Sequence, residues 1–174
     1  VTDLVIERDI AAPPDVVFRF LVEPAKLVQW LGRAAEFDPT PGGAVRIDVT
    51  GREITEGHVV EVVPDERVVF TWGWIGNPRI PPGSTTVSID LTPTESGTRL
   101  VVTHAGLPDE EVVGHRGGWE YFLPRLLTVV VGDRPGPIEP ERIGQSAIQP
   151  VCPPGAGGER AKQTQRTQQG GAQT

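Results

Sequence analysis

Three histidines are the residues of this sequence best suited to proton transfer or ligand recognition near neutral pH. His104 closes the run Thr98 to His104, in which Leu100, Val102 and His104 fall on alternate positions. A strand there puts the imidazole on the apolar face, where it either meets a guest molecule or is satisfied within the core. His115 lies in the segment 108–132, where Val112, His115, Trp119, Phe122, Leu123, Leu126, Val129 and Val130 recur at helical spacing. The two imidazoles are therefore expected to face one interior. No third Asp, Glu or Cys joins them at a ligand-like spacing, so neither a metal site nor a cofactor is expected. His58 stands between Glu56 and Glu61 as a solvated strand residue, and Gly57 beside it marks a bulge or a close backbone approach.

Aromatic side chains supply the second set of candidates. Trp72 and Trp74 share a face with Val68 and Phe70 in Arg67–Trp74, and Trp74 is followed by the Pro-rich stretch NPRIPPG. Large rings with one polar edge line ligand pockets as readily as they fill cores. The expected ligand-binding set is Trp72, Trp74, His104, Trp119 and Phe122. No residue is assigned a catalytic role. A Gly-x-Ser-x-Gly elbow is absent, Gly42-Gly43 precedes a strand instead of following one, and Cys152 is the sole cysteine. Glu53, Glu56 and Glu61 sit on one hairpin and are expected to face solvent.

The elements that must position these residues can be read from periodicity and turn chemistry. LVIERDI, residues 4–10, reads as a strand. AAPPDVVFRFLV starts with a Pro-Pro pair, carries Asp15 in its first turn, and brings Val17, Phe18, Leu21 and Val22 to one helical face. Pro24 breaks that helix, and Leu27, Trp30 and Leu31 mark a second short one. AAEF, AVRIDV, ITEGHVVEVV, RVVFTWGW, STTVSIDLT and TRLVVTH follow as strands joined by short Gly, Pro and Asp turns, which implies antiparallel pairing. The long helix over 108–132 contains Gly117-Gly118, each Gly costing ~1 kcal/mol relative to Ala. It also contains Pro124, which removes a backbone donor, so a bent element is expected.

Charge and composition bound the function. Up to Gly132 there are 11 Lys+Arg against 19 Asp+Glu, a net −8, while residues 133–174 carry 5 against 4, a net +1, which together give the −7 of the chain. An acidic domain is a poor partner for a phosphate backbone or an anionic lipid surface, so no nucleic acid and no membrane insertion are expected. Neither a signal peptide nor an apolar membrane span is evident, which suggests a cytoplasmic setting. The 14 Arg against 2 Lys suggest a GC-rich bacterial genome. Residues 133–174 hold 7 Gly, 6 Pro and 7 Gln without apolar periodicity, so a domain is expected over 1–132 and a disordered tail over 133–174.

Several pieces of the sequence, taken in order, resemble the START/SRPBCC superfamily, nearest its activator of heat-shock protein 90 ATPase homologue branch. They are Ala-Pro-Pro-Asp-Val-Val-Phe at residues 12–18, Trp30-Leu31-Gly32, PGGAVRIDV leading to EGHVVEVVPDERVVFTW, and TRLVVTHAGLP leading to GGWEYFLPRLL. The resemblance covers residues ~4–130. It implies an α+β helix-grip fold: a curved antiparallel sheet of about six to seven strands wrapped around the long C-terminal helix, with two short helices after the first strand. It also implies an apolar cavity between sheet and helix that binds a hydrophobic small molecule (a lipid, a polyketide-like compound or an aromatic). Two alternatives stand beside it. One is an enzyme acting on such a guest with His104 as acid and base. The other is a co-chaperone or interaction module with a filled core and an exposed apolar patch.

Overall fold

The computed structural model describes residues 2–143. The segment 144–174, with Cys152 and most of the expected tail, lies outside the described residues. Strand β1 spans Thr2–Ile10, helices α1 and α2 span Pro14–Val22 and Pro24–Leu27, and six strands follow: β2 (Ala34–Phe37), β3 (Ala44–Asp48), β4 (Ile54–Val63), β5 (Arg67–Trp72), β6 (Thr85–Thr94) and β7 (Gly97–Leu107). Helix α3 spans Asp109–Val130, and a short 3-10 turn covers Pro140–Arg142. The strands form one seven-stranded antiparallel sheet in the order β1-β7-β6-β5-β4-β3-β2. With α3 across its concave face, this is the helix-grip arrangement.

The sequence pattern explains the packing. In β6, Val87, Ile89 and Leu91 are buried, and in β7, Leu100, Val102 and His104 are buried, as their alternation requires. The registers Val87↔His104, Ile89↔Val102 and Leu91↔Leu100 stack these residues across the two strands. Helix α3 contributes Trp119, Phe122, Leu123, Leu126 and Val129 to the same core. Helix α1 adds Val17, Phe18, Phe20, Leu21 and Val22, and the indole N–H of Trp30 donates to the carbonyl of Phe20 at 2.9 Å, which fixes the turn after α2 against α1.

Gly57 is explained by a close approach. A β-carbon there would lie 1.9 Å from the carbonyl oxygen of Thr71 on β5. The strands meet with a register shift between Val59 and Glu61, so the bulge and the close approach occur together. His58 next to it is exposed, and its Nδ1 lies 3.1 Å from the hydroxyl of Thr71.

The long helix is continuous, and one expectation about the C-terminal part needs revision. Helix α3 starts at Asp109 and stays helical through Gly117, Gly118 and Pro124 to Val130. Pro124 removes one backbone donor, while Phe122, Leu123 and Leu126 on either side of it are buried against the sheet, and that burial outweighs a single lost hydrogen bond. The ordered chain also runs past 132. Arg125 donates from Nε to the carbonyl of Trp30 at 3.2 Å and from a terminal nitrogen to the carbonyl of Pro137 at 3.4 Å. The backbone N–H of Glu139 donates to the hydroxyl of Tyr121 at 2.9 Å, and Ile138 and Ile143 pack against the core. Residues 131–143 thus form a strap folded back along α3, held by apolar and polar contacts that composition alone did not reveal.

Candidate functional site

A cavity of about 680 Å³ opens between α3 and the far end of β5. Glu111, Gly114, His115, Gly118, Trp119 and Phe122 form its α3 side. Trp72, Trp74 and the loop Ile75–Arg79 form the β5 side, Val49, Arg52 and Glu53 come from the β3–β4 hairpin, and Leu31 and Ile143 complete the wall. The loop is held in place by its own chemistry. The side-chain oxygen of Asn77 accepts from the backbone N–H groups of Arg79 at 2.9 Å and Ile80 at 3.3 Å, the N–H of Trp74 donates to the carbonyl of Ile80 at 2.7 Å, and Ile80 is fully buried. Two side-chain contacts then fasten the loop to the first turns of α3. Arg79 pairs with Glu111 at 3.1 Å, and the indole N–H of Trp74 donates to Nε2 of His115 at 3.0 Å.

These contacts fix the protonation of both histidines. An indole nitrogen only donates, so Nε2 of His115 carries no proton. Its Nδ1–H donates instead to the carbonyl of Glu111 at 2.9 Å. His104 holds the opposite tautomer. The indole N–H of Trp119 donates to its Nδ1 at 3.3 Å, so its proton sits on Nε2 and is donated to the hydroxyl of Thr85 at 2.8 Å, which donates in turn to the carbonyl of Trp72 at 3.0 Å. The two imidazoles stand 5.1 Å apart and perpendicular. Burial, assisted by the nearby charge of His115, pushes the His104 pKa down to about 3. Burial also lowers the His115 pKa, against the opposing pull of the Glu111 carbonyl and carboxylate and of Glu53. Both rings are neutral at physiological pH, and all four ring nitrogens are occupied.

Of the five residues expected to bind a ligand, Trp72, Trp74, Trp119 and Phe122 line the cavity. His104 stands behind the wall. It is fully buried, its ring contacts Trp72 and Trp119, and its hydrogen bonds end within the protein. Strand alternation placed it on the inner face correctly, but two cavity-lining indoles come between it and the space. That location removes the geometric basis for His104 as an acid and base acting on a guest. Arg52, Glu53, Arg79 and Glu111 at the mouth were not singled out as site residues; they come from loops and a helix start, where no periodicity marks direction. Ile143 lay in the segment expected to be tail. Among the described residues no group of three or more His, Cys, Asp or Glu could hold a metal ion, and no helix is long and apolar enough to cross a membrane.

A family model described as "Activator of Hsp90 ATPase homolog 1-like protein" matches residues 11–132. Among solved structures, an AHSA1-like protein from Rhizobium etli is 42% identical over 78% of this chain and 87% of its own, with a TM-score of 0.62. The protein MLL2253 from Mesorhizobium loti is 27% identical over 72% of this chain and 94% of its own, with a TM-score of 0.66. DynU16, from the dynemicin biosynthetic locus, is 27% identical over 76% of this chain with a TM-score of 0.67, and the match spans 48% of that protein, about half its length. No curated protein matches the chain.

Proposed function

The chain belongs to the Activator of Hsp90 ATPase homolog 1-like protein family, and from that premise we propose that it is a non-enzymatic binding domain for a hydrophobic small molecule, such as a lipid, a polyketide-like compound or an aromatic. The observation that carries this reading is the cavity of about 680 Å³ between α3 and β5. Its volume falls within the ~300–1,000 Å³ of small-molecule sites, and an apolar wall with a few polar groups at one end is the composition such sites have. Trp72, Trp119 and Phe122 supply the apolar wall, and Arg52, Glu53, Arg79 and Glu111 supply the polar mouth. Both histidines are committed to internal hydrogen bonds as neutral rings, which supports binding in preference to acid–base turnover. The similarity to a protein from a biosynthetic locus agrees with small-molecule handling.

Native mass spectrometry of the full chain tests the proposal. The expected result is a co-purified mass of a few hundred daltons that is lost on denaturation, and lost from Trp119→Ala under the same gentle conditions. A guest-free mass from several expression hosts, persisting after incubation with lipid and aromatic extracts, would overturn it.

A further inference from the structure

On its α3 side the cavity is bounded by two glycines, Gly114 and Gly118, one helical turn apart and therefore on the same side of the helix. Neither is required by the packing of the protein. A β-carbon on either one would find no neighbouring atom within 4 Å, whereas at Gly57 or Gly73 it would lie 1.9 Å from a carbonyl oxygen. Glycine is disfavoured inside a helix, so two glycines with free space above them call for another reason. Their effect is to keep the α3 backbone bare along one wall of the cavity.

The β5 side of the cavity presents ring faces and edges. Trp72 and Trp74 pack edge to face with centroids 5.2 Å apart. Trp72 is 4% exposed, and its indole N–H has no acceptor, whereas the indole N–H groups of Trp30, Trp74 and Trp119 all have one. A smooth backbone strip on one side and indoles on the other suit a guest that is thin, flat and unsaturated, because a puckered or branched skeleton needs more width for the same area of contact.

We propose that Gly114 and Gly118 are specificity-determining positions that admit a planar polycyclic aromatic guest flat against α3, a selection that rests on the binding function proposed above. The probes are fluorenone and its saturated counterpart perhydrofluorenone, which share a skeleton and a carbonyl and differ in flatness. Titration calorimetry with the full chain should show fluorenone binding at least about tenfold more tightly. Gly118→Leu should weaken fluorenone by about tenfold to a hundredfold through overfilling. Gly118→Ala should raise Tm by about 2–4 °C while also weakening fluorenone, an opposition that damage to the fold cannot produce. Val113→Ala, on the exposed side of α3, should leave binding unchanged.

Equal affinity for the two ketones, or a folded Gly118→Leu that binds fluorenone like the parent, would overturn the flat-guest proposal and leave the binding function standing. Failure of both ketones while native mass spectrometry retains another guest would do the same. Failure of every guest in both experiments would overturn the binding function, and this proposal with it.

Discussion

Acidification from pH 7 to pH 5 should destabilise this protein through His104, well before most carboxylates titrate. In the folded state the His104 pKa is held near 3 by burial and by the charge of His115, against 6.5 when unfolded. Between those values the unfolded chain takes up a proton that the folded chain refuses. Stability therefore rises with pH across this window and is lost as pH falls. A pKa difference of this size makes the loss between pH 7 and pH 5 about 2 kcal/mol, since the unfolded histidine titrates over almost the whole interval and the folded one does not. His115 is shifted in the same direction and adds to the effect. The geometry gives the same answer independently. Protonation would place a proton on Nδ1, the atom that receives the Trp119 N–H, and turn a hydrogen bond into a clash of two donors. The assay is urea unfolding at pH 7 and pH 5 for the parent and for His104→Gln, whose amide can accept from Trp119 and donate to Thr85 without titrating. The variant should lose about 2 kcal/mol less than the parent over that interval. Equal losses in the two proteins would refute the neutral, hydrogen-bonded assignment of His104.

Three further outcomes are expected. Thr85→Val keeps the shape of the side chain but strips His104 Nε2–H of its acceptor and the Trp72 carbonyl of its donor. It should cost about 1–3 kcal/mol for each group left unpaired, read by urea unfolding at pH 7. Gly57→Ala forces a methyl group against the Thr71 carbonyl, and should cost about 1–3 kcal/mol or prevent folding, measured by thermal unfolding. Tyr121→Phe frees the Glu139 N–H and loosens the strap, so limited proteolysis should cut within residues 131–143 sooner while Tm falls by only a few degrees, the equivalent of about 1 kcal/mol.

The sheet and the long helix were legible because burial imposes a period. The alternation of Val87, Ile89 and Leu91, and the helical recurrence of Trp119, Phe122, Leu126 and Val129, each select one side of one element, and those sides are the ones buried. Periodicity says which side a residue faces but not what stands beside it. His104 was assigned the correct face, yet its partners Thr85 and Trp119 come from the β6 pairing and from α3, and those contacts settle its role. The mouth of the cavity was illegible for a different reason. Arg52 and Arg79 lie in irregular segments, where direction is set by specific turns such as the Asn77 bonds and not by a repeat. The strap misled composition-based reading because two isoleucines, Ile138 and Ile143, anchor a stretch otherwise rich in polar residues and proline. Gly118 was noticed as a helix anomaly, but its open surroundings become visible only once α3 is laid over the sheet.

The pairing of β1 with β7 sets a timetable for synthesis. Neighbouring strands from β2 to β7 are hairpin partners that can join as each leaves the ribosome, but the one strand that pairs with β1 is β7, far along the sequence, with Val5 opposite Thr103 and Ile10 opposite Thr98. Strand β1 is made well before its partner and is therefore among the last to pair. At ~5–20 residues per second, a nascent chain carries β1 unpaired for about 5–20 s before β7 follows it out. During that interval Leu4, Ile6 and Ile10, all destined for the core, form an exposed apolar edge. Asp3, Glu7, Arg8 and Asp9 alternate with or flank them and keep that waiting strand charged, which is a safeguard against pairing with the wrong neighbour before the right one has been made.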